Sequence, residues 1–183
     1  MKKFLIIWVG ELLSTIGSGL TAFGLGVYVY QQTGMATATA LISLLALLPT
    51  VLLGPVAGVL ADRYDRRLLM VLGDGFSALG LFYILFCLMR GQAGVVQIGI
   101  GVTVSSVFAS LLEPAYRATI TDLIPREQYA KASGLVQMAG STKFLISPFL
   151  AGLLMKFSGI TLILWIDVGT FFITVMATLL VAR

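Results

Sequence analysis

Long runs of apolar residues, separated by short polar segments, repeat along the whole chain. Six such runs can be drawn, with approximate bounds at 4–30, 36–61, 68–89, 94–120, 129–157 and 161–182. Each run exceeds the ~20 apolar residues that a helix needs to cross a bilayer. The pattern therefore predicts an all-α membrane protein with six transmembrane helices, which form a single domain over residues 1–183.

Turn-forming and charged residues mark the ends of these runs. The boundaries fall at Gln31–Gly34, Asp62–Arg67, Arg90–Gln92, Pro125 and Ser158-Gly159. Because every connection is short, we expect no soluble domain between the helices.

Composition supports the same class of protein. Hydrophobic residues make up 58% of the chain, charged residues make up 11%, and the mean hydropathy is +1.02. A soluble domain carries about 25% charged residues. So little charge cannot cover the surface for water, which makes the lipid bilayer the expected surrounding.

Several kinds of chemistry are excluded by residue counts. Histidine is absent, and Cys87 is the only cysteine. These counts rule out a disulfide framework, an imidazole metal site and Ser-His catalysis. A phosphate-binding Gly-x-x-x-x-Gly-Lys-Ser/Thr loop is also missing. We therefore expect no enzyme activity, no metal site and no cofactor.

The first residues have some features of a secretory leader. Met1–Lys3 are followed by the apolar segment Phe4–Val9, and Ala36 and Ala38 form a small-x-small pair. That pair lies too far along the chain, and Glu11 interrupts the apolar segment. We expect a first membrane helix here and no cleaved leader.

Lysine and arginine are distributed unevenly among the connections. With a cytoplasmic amino terminus, nine of them lie on the inner side: Lys2, Lys3, Arg63, Arg66, Arg67, Arg117, Arg126, Lys131 and Arg183. Arg90 and Lys156 lie on the outer side, and Lys143 lies within the fifth run. Because positive residues concentrate in cytoplasmic loops, both termini are expected in the cytoplasm, at the cell (inner) membrane. The same scatter argues against nucleic-acid binding despite the net charge of +4.

Charged residues inside the predicted helices are candidate functional residues, since each costs ~2.5–3.5 kcal/mol at the bilayer centre. The candidates for proton coupling or for lining a cavity are Glu11, Asp74, Glu113, Arg117, Lys143 and Asp167. Glu113 and Arg117 lie one helical turn apart and are expected to pair. Lys143 is expected to pair with Asp167, Glu113 or Glu11. Asp74 either has a coupling role or supports the nearby loop.

Two of these carboxylates end polar stripes. Glu11 is followed at helical spacing by Ser14, Thr15, Ser18 and Thr21, and Glu113 is preceded by Ser106 and Ser110. We favour the interpretation that both stripes line a water-filled cavity between helices. Hydrogen bonding between helices in a closed bundle is the alternative.

The second connection carries the most informative motif. Residues 58–67 read Gly-Val-Leu-Ala-Asp-Arg-Tyr-Asp-Arg-Arg. This segment resembles the signature of the major facilitator superfamily, Gly-x-Leu-Ala-Asp-Arg-x-Gly-Arg-Arg, with Asp65 in place of the usual glycine. The matching residues are Gly58, Asp62, Arg63, Arg66 and Arg67.

Each part of this loop has an expected physical role. Gly58 allows close approach of two helices. Asp62 is expected to cap a helix or to pair with an arginine. The arginines are expected to hold the loop at the anionic inner leaflet.

The fifth run is similar to a glycine-rich pattern of exporters in this superfamily. Gly134, Pro148 and Gly152 fit the pattern, while Lys143 and Ser147 replace two of its glycines. Pro148 is expected to bend the helix.

Further residues resemble the macrolide-efflux and siderophore-exporter branch, with lysophospholipid transporters also similar. These residues are Thr33, Gly34, Asp74, Pro114 and Arg117. They narrow the resemblance without selecting one substrate.

The resemblance implies the amino-terminal half of a transporter, folded as a 3+3 inverted repeat of helices. Such a half would take part in proton-coupled efflux of small amphipathic compounds by alternating access. Its cavity would be lined by the first, second, fourth and fifth helices. Its partner would be a missing carboxy-terminal half or a second copy of the chain. The alternative is a membrane module that binds lipid or a partner half without transporting.

Overall fold

Helices account for nearly all of the computed structural model, which describes residues 2–182. For Lys2 and Ala182 only the backbone is described, so the charges assigned to the Lys2 side chain and to Arg183 lie outside it. The elements are α1 (Lys2–Thr33), α2 (Ala36–Arg63), α3 (Arg66–Met89), α4 (Val95–Ala109), α5 (Leu112–Leu123), a 3-10 turn (Arg126–Gln128) and α6 (Tyr129–Ala182).

Within the described residues, five helical stretches are long and apolar enough to cross a membrane. They are Lys3–Thr33, Ala36–Arg63, Arg66–Met89, Val95–Leu123 and Arg126–Val181. Large apolar side chains cover their outward faces, among them Val51, Leu52 and Phe172. The all-α membrane class predicted from the hydrophobic pattern is confirmed.

The predicted fourth stretch, 94–120, is interrupted at Ser110-Leu111, between α4 and α5. Pro114 has no N–H to donate to the carbonyl of Ser110, so the helical ladder loses a bond at this point. The Ser110 hydroxyl donates to the carbonyl of Val107 at 2.6 Å, and the Leu111 N–H bonds the carbonyl of Phe108 at 3.1 Å. These shorter-range bonds tighten the chain into a turn before α5 begins.

The longest helical stretch, α6, spans 54 residues and contains one residue with non-helical backbone angles, Gly159, at φ 69° and ψ −172°. A straight helix of that length would extend for about 81 Å, more than twice the ~30 Å of a hydrocarbon core. Positive φ suits glycine because it lacks a Cβ. Gly159 therefore divides α6 into a first arm (129–158) and a second arm (160–182), at the turn predicted for Ser158-Gly159.

The two arms of α6 run in opposite directions along α1. Four hydrogen bonds show this: Trp8 to the Leu135 carbonyl, Ser147 to the Ile16 carbonyl, Ser18 to Asp167, and Thr174 to the Gly10 carbonyl. In the first arm, residue numbers rise together with those of α1. In the second arm they rise as those of α1 fall. The chain thus reverses at Gly159 and passes α1 twice.

Glycines let α1 lie in backbone contact with both arms. A Cβ added at Gly19 would lie 2.6 Å from the Ser147 Cβ in the first arm. A Cβ added at Gly17 would lie 2.8 Å from the Asp167 Oδ1 in the second arm. Small residues permit such close helix packing in membranes, where dispersion contacts and hydrogen bonds hold helices together.

A second close crossing joins α3 to α4. A Cβ added at Gly80 would lie 2.7 Å from the backbone nitrogen of Ser105, and one added at Gly101 would lie 2.7 Å from the carbonyl oxygen of Gly80. The side chain of Ile84 also packs over Gly101. Both glycines are buried, so this crossing has no room for a side chain.

Candidate functional site

The connection between α2 and α3 consists of only two residues, Tyr64 and Asp65. Oδ1 of Asp65 accepts hydrogen bonds from the backbone N–H groups of Arg67 at 2.8 Å and Leu68 at 3.3 Å, which caps α3. Such a cap contributes about 1 kcal/mol to helix stability. The φ of Asp65 is −59°, a value open to any residue, so no glycine is required here.

The capping role predicted for Asp62 is wrong. This residue lies in the last turn of α2, where a carboxylate cannot cap an amino terminus. Its side chain is exposed and makes no hydrogen bond or ion pair with the described residues. Asp65, three positions later, performs the role instead.

Arg66 ties this loop to the carboxyl end of α5. Its guanidinium forms an ion pair with Asp122 and donates to the Ala118 carbonyl at 2.9 Å. Nε also donates to the Ala61 carbonyl, at 3.4 Å. A cation is favourable at a helix carboxyl end because of the helix dipole. Arg66 therefore binds protein groups, and Arg63 and Arg67 are the arginines of the cluster for which leaflet anchoring stays a prediction.

The close helix contact expected at Gly58 is absent from the described part of the chain. A Cβ added at Gly58 in α2 would meet nothing within 4 Å, and the same holds for Gly134 and Gly152 in the first arm. The backbones of α2 and of the first arm are therefore accessible along these positions. Pro148 lies in the same arm, at backbone angles that remain helical.

The predicted pair between Glu113 and Arg117 is present. Nε and Nη2 of Arg117 donate to Glu113 Oε1 at 3.0 Å and 2.9 Å. Both side chains are exposed on α5. The two charges cancel locally, which lowers the cost of holding them in the membrane.

The polar stripe of α1 does not line an open cavity, contrary to the favoured interpretation. Ser14 and Thr21 are buried, Ser18 and Thr15 are half-buried, and the Ser18 hydroxyl donates to Asp167 Oδ1 at 3.3 Å. The stripe packs against the second arm, because α1 lies between the two arms. Hydrogen bonding between helices is therefore the better description.

The stripe that leads to Glu113 is divided by the turn before α5. Ser106 and Ser110 are buried, and their hydroxyls donate to carbonyls of α4 at 2.8 Å and 2.6 Å. Glu113 and Arg117, beyond the turn, are exposed. Only this second part can face a water-filled space.

Asp74 lies in the helix bundle, and its side chain makes no hydrogen bond or ion pair with the signature loop among the described residues. Its side chain is 2% exposed, and Oδ2 has no hydrogen-bond partner among the described residues. It lies within electrostatic reach of Glu11 and Asp167. Glu11 is half-buried, and its Oε2 also has no partner in the described chain. The structure thus brings three candidate carboxylates into one interior region.

Lys143 stands apart from these carboxylates. Its side chain is exposed near the middle of the first arm, and no carboxylate oxygen of the described residues lies within 4 Å of its amine. Asp167 is within electrostatic reach of the amine, but it lies beyond α1 and is 1% exposed. The predicted ion pair of Lys143 is therefore absent.

Sequence comparison places this arrangement among known proteins. The family model described as Major Facilitator Superfamily matches residues 7–183. The matched range includes the signature loop, both residues of the Arg66–Asp122 ion pair, and both arms of α6.

Individual relatives carry transporter names. Macrolide efflux protein A of Streptococcus pyogenes is 31% identical over 166 residues, which cover 91% of this chain and 41% of that protein. The uncharacterized MFS-type transporter YfiS of Bacillus subtilis is 25% identical over 183 residues, which are 100% of this chain and 43% of that protein. The putative multidrug resistance protein MdtD of Escherichia coli is 30% identical over 128 residues, or 69% of this chain and 26% of that protein. The chain thus spans less than half the length of each of these relatives.

Proposed function

The chain belongs to the major facilitator superfamily, and from that membership we propose that it forms one six-helix half of a secondary active transporter. The observation that supports this most strongly is the reversal at Gly159, where two antiparallel arms pack on opposite sides of α1. Membership in the superfamily shows that the chain belongs to a family of transporters. The half-transporter role is our proposal.

We propose six membrane spans, arranged as two inverted triplets, within one domain over residues 1–183. The division of α6 supports the count, because each arm exceeds the ~20 residues of a span. An even number of spans places both termini on one side. The nine-to-two distribution of positive residues supports the cytoplasmic side of the cell (inner) membrane.

The proposed partner is a second six-helix half, either a carboxy-terminal half or a second copy of this chain. Two observations support it: the chain covers 41% of its streptococcal relative, and a Cβ added at Gly58, Gly134 or Gly152 would meet nothing within 4 Å among the described residues. Two halves rocking about a central site would alternate access between the membrane faces.

The proposed activity is proton-coupled efflux of small amphipathic compounds. Efflux is supported by the names of the relatives. The coupling proposal rests on charged groups within the spans, which commonly mark proton paths. Lys143 and Glu113 are the first candidates because both side chains are exposed. Glu11, Asp74 and Asp167, which lie in the interior, are the second group of candidates for proton coupling. Arg117 donates a hydrogen bond to Glu113 and so positions its carboxylate.

Mass and flux measured together test the proposal. The purified chain is reconstituted in nanodiscs and proteoliposomes, its mass is measured by light scattering corrected for lipid, and uptake of labelled amphiphilic compounds is followed under a pH gradient. We expect flux in samples that contain two halves and none in monodisperse monomers. Flux by monomers would contradict the half-transporter proposal. Absence of flux in every two-half assembly would favour the alternative, a non-transporting module that binds lipid or a partner half.

A further inference from the structure

We propose that the exposed surface around Lys143 is a binding site for the acidic head group of an anionic amphiphile. This inference rests on the proposed function, because it assigns a charge to the substrate class. The site is formed by four residues of the first arm: Gln137, Gly140, Lys143 and Phe144.

The depth of Lys143 is the first argument. It lies 14 residues after Tyr129 and 15 residues before Ser158, so its Cα is about 21 Å from either end of the arm. From that depth the amine cannot reach the head-group region by extending along the helix. An isolated ammonium group in hydrocarbon is costly, so an opposite charge must come from elsewhere.

No carboxylate of the described residues forms an ion pair with Lys143. Glu113 is neutralised by Arg117 at 2.9 Å. Asp167 accepts a hydrogen bond from Ser18 and lies on the side of α1 that faces the second arm. The Lys143 carbonyl borders Gly19 of α1 instead, and the amine makes no ion pair with that carboxylate. The exposed surface thus carries one positive charge with no carboxylate oxygen of the described residues within 4 Å.

The surroundings of Lys143 suit an amphiphile better than a small inorganic anion. Ser133, Gln137, Gly140 and Phe144 recur at the spacing of one helical face, next to Lys143, and all are exposed. Phe144 is 76% exposed and offers an apolar contact, while Gln137 offers an amide donor. A Cβ added at Gly140 would meet nothing within 4 Å among the described residues, so a ligand can approach the backbone there. A cation, an amide and an aromatic ring around a bare backbone match a ligand with an acidic head and an apolar body.

Two dyes that differ by one acidic group test the proposal. The anionic dye is 1-anilinonaphthalene-8-sulfonate, and the neutral dye, N-phenyl-1-naphthylamine, has the same rings without the sulfonate. Binding is measured by fluorescence to the chain in phosphatidylcholine nanodiscs, with empty nanodiscs subtracted. A charge-assisted hydrogen bond is worth ~1.5–3 kcal/mol, so Lys143→Gln should weaken sulfonate binding roughly 10- to 100-fold. Neutral-dye binding should change less than about twofold, since only the charge is removed.

Two further variants serve as controls. Lys143→Arg keeps the charge and should retain sulfonate affinity within about threefold. Lys156→Gln removes an exposed cation from the same arm near its end, where the amine lies 5.7 Å from the Phe157 ring, and should leave both dyes unaffected.

Four results would overturn the inference or its premise. Unchanged sulfonate binding in Lys143→Gln overturns the site while the proposed function stands. Equal losses for both dyes also overturn it, because the defect is then not one of charge. If the unmutated chain binds the neutral dye but not the sulfonate dye, the surface around Lys143 does not bind an acidic head group, which again overturns the site. Absence of binding by either dye contradicts the amphiphile-binding function itself.

Discussion

Replacing Gly101 with valine is expected to lower the free energy of unfolding by about 3 kcal/mol or more. The reason is the crossing of α3 and α4, where a Cβ on Gly101 would lie 2.7 Å from the carbonyl oxygen of Gly80. Backbone atoms cannot rotate away as a side chain can, so the helices must separate. Separation would also unpack Ile84, which is fully buried beside Gly101.

Thermal unfolding in detergent measures this effect. A loss of that size corresponds to a fall in Tm of roughly 6–12 °C for a chain of this length. Gly75→Val is the control, because Gly75 lies in the partner helix α3, away from the crossing, where an added Cβ would meet nothing within 4 Å among the described residues. The control should change stability by less than about 1 kcal/mol. Equal losses in both variants would mean that valine itself, and not the crossing, is responsible.

Neutralising Lys143 or Glu113 is expected to abolish efflux that depends on a pH gradient in the two-half assembly. Coupling requires a group whose charge changes during the cycle. Lys143 and Glu113 are exposed candidates within the proposed spans that can gain or lose a proton, whereas the exposed Arg117 stays charged. Transport by Lys143→Gln and Glu113→Gln is compared with that of Glu127→Gln, an exposed residue in the 3-10 turn. Unchanged efflux in both neutralised variants would refute their coupling role.

A second readout separates coupling from folding and from substrate binding. Exchange of substrate without a pH gradient should persist in Glu113→Gln, because only the coupling step is removed. Glu113→Gln also leaves Arg117 without its partner at 2.9 Å. The double variant Glu113→Gln with Arg117→Gln removes that unpaired charge. If the double variant regained gradient-driven efflux, Glu113 would be a structural partner and not a coupling group.

Local sequence rules predicted the features that depend on neighbouring residues. The turn at Ser158-Gly159 follows from glycine punctuation, and the Glu113–Arg117 pair follows from four-residue spacing on a helix. The signature loop identified the superfamily, which the match over residues 7–183 confirms. These features need no knowledge of how distant segments pack.

Features that depend on packing could not be read from the sequence. Asp122 lies 56 positions after Arg66, and nothing near either residue indicates that they meet. The stripe from Ser14 to Thr21 has the same spacing whether it faces water or another helix. Only the placement of α1 between the two arms decides between these alternatives.

The signature loop gives an intermediate case. The capping role expected of Asp62 belongs to Asp65, because the second apolar run ends at Ala61 whereas α2 ends at Arg63. An aspartate within a helix end cannot cap the next helix, whereas one just before Arg66 can. Boundary errors of this size therefore change the role assigned to a residue.

The number and direction of the spans can be measured directly with single cysteines. Cys87 is 8% exposed, and replacing it with alanine leaves a background without cysteine. Single cysteines are then introduced at exposed positions in the connections: Gln32, Tyr64, Gln92, Glu127 and Ser158. Intact cells are treated with a membrane-impermeant maleimide before and after permeabilisation.

Labelling at Ser158 tests the central claim, a reversal of the chain at Gly159 that produces six spans. We expect the cysteines at positions 32, 92 and 158 to react in intact cells, and those at 64 and 127 to react only after permeabilisation. If the cysteine at 158 reacts only after permeabilisation, as the one at 127 is expected to do, the six-span half-transporter is contradicted. It is also contradicted if the cysteine at 158 reacts under neither condition.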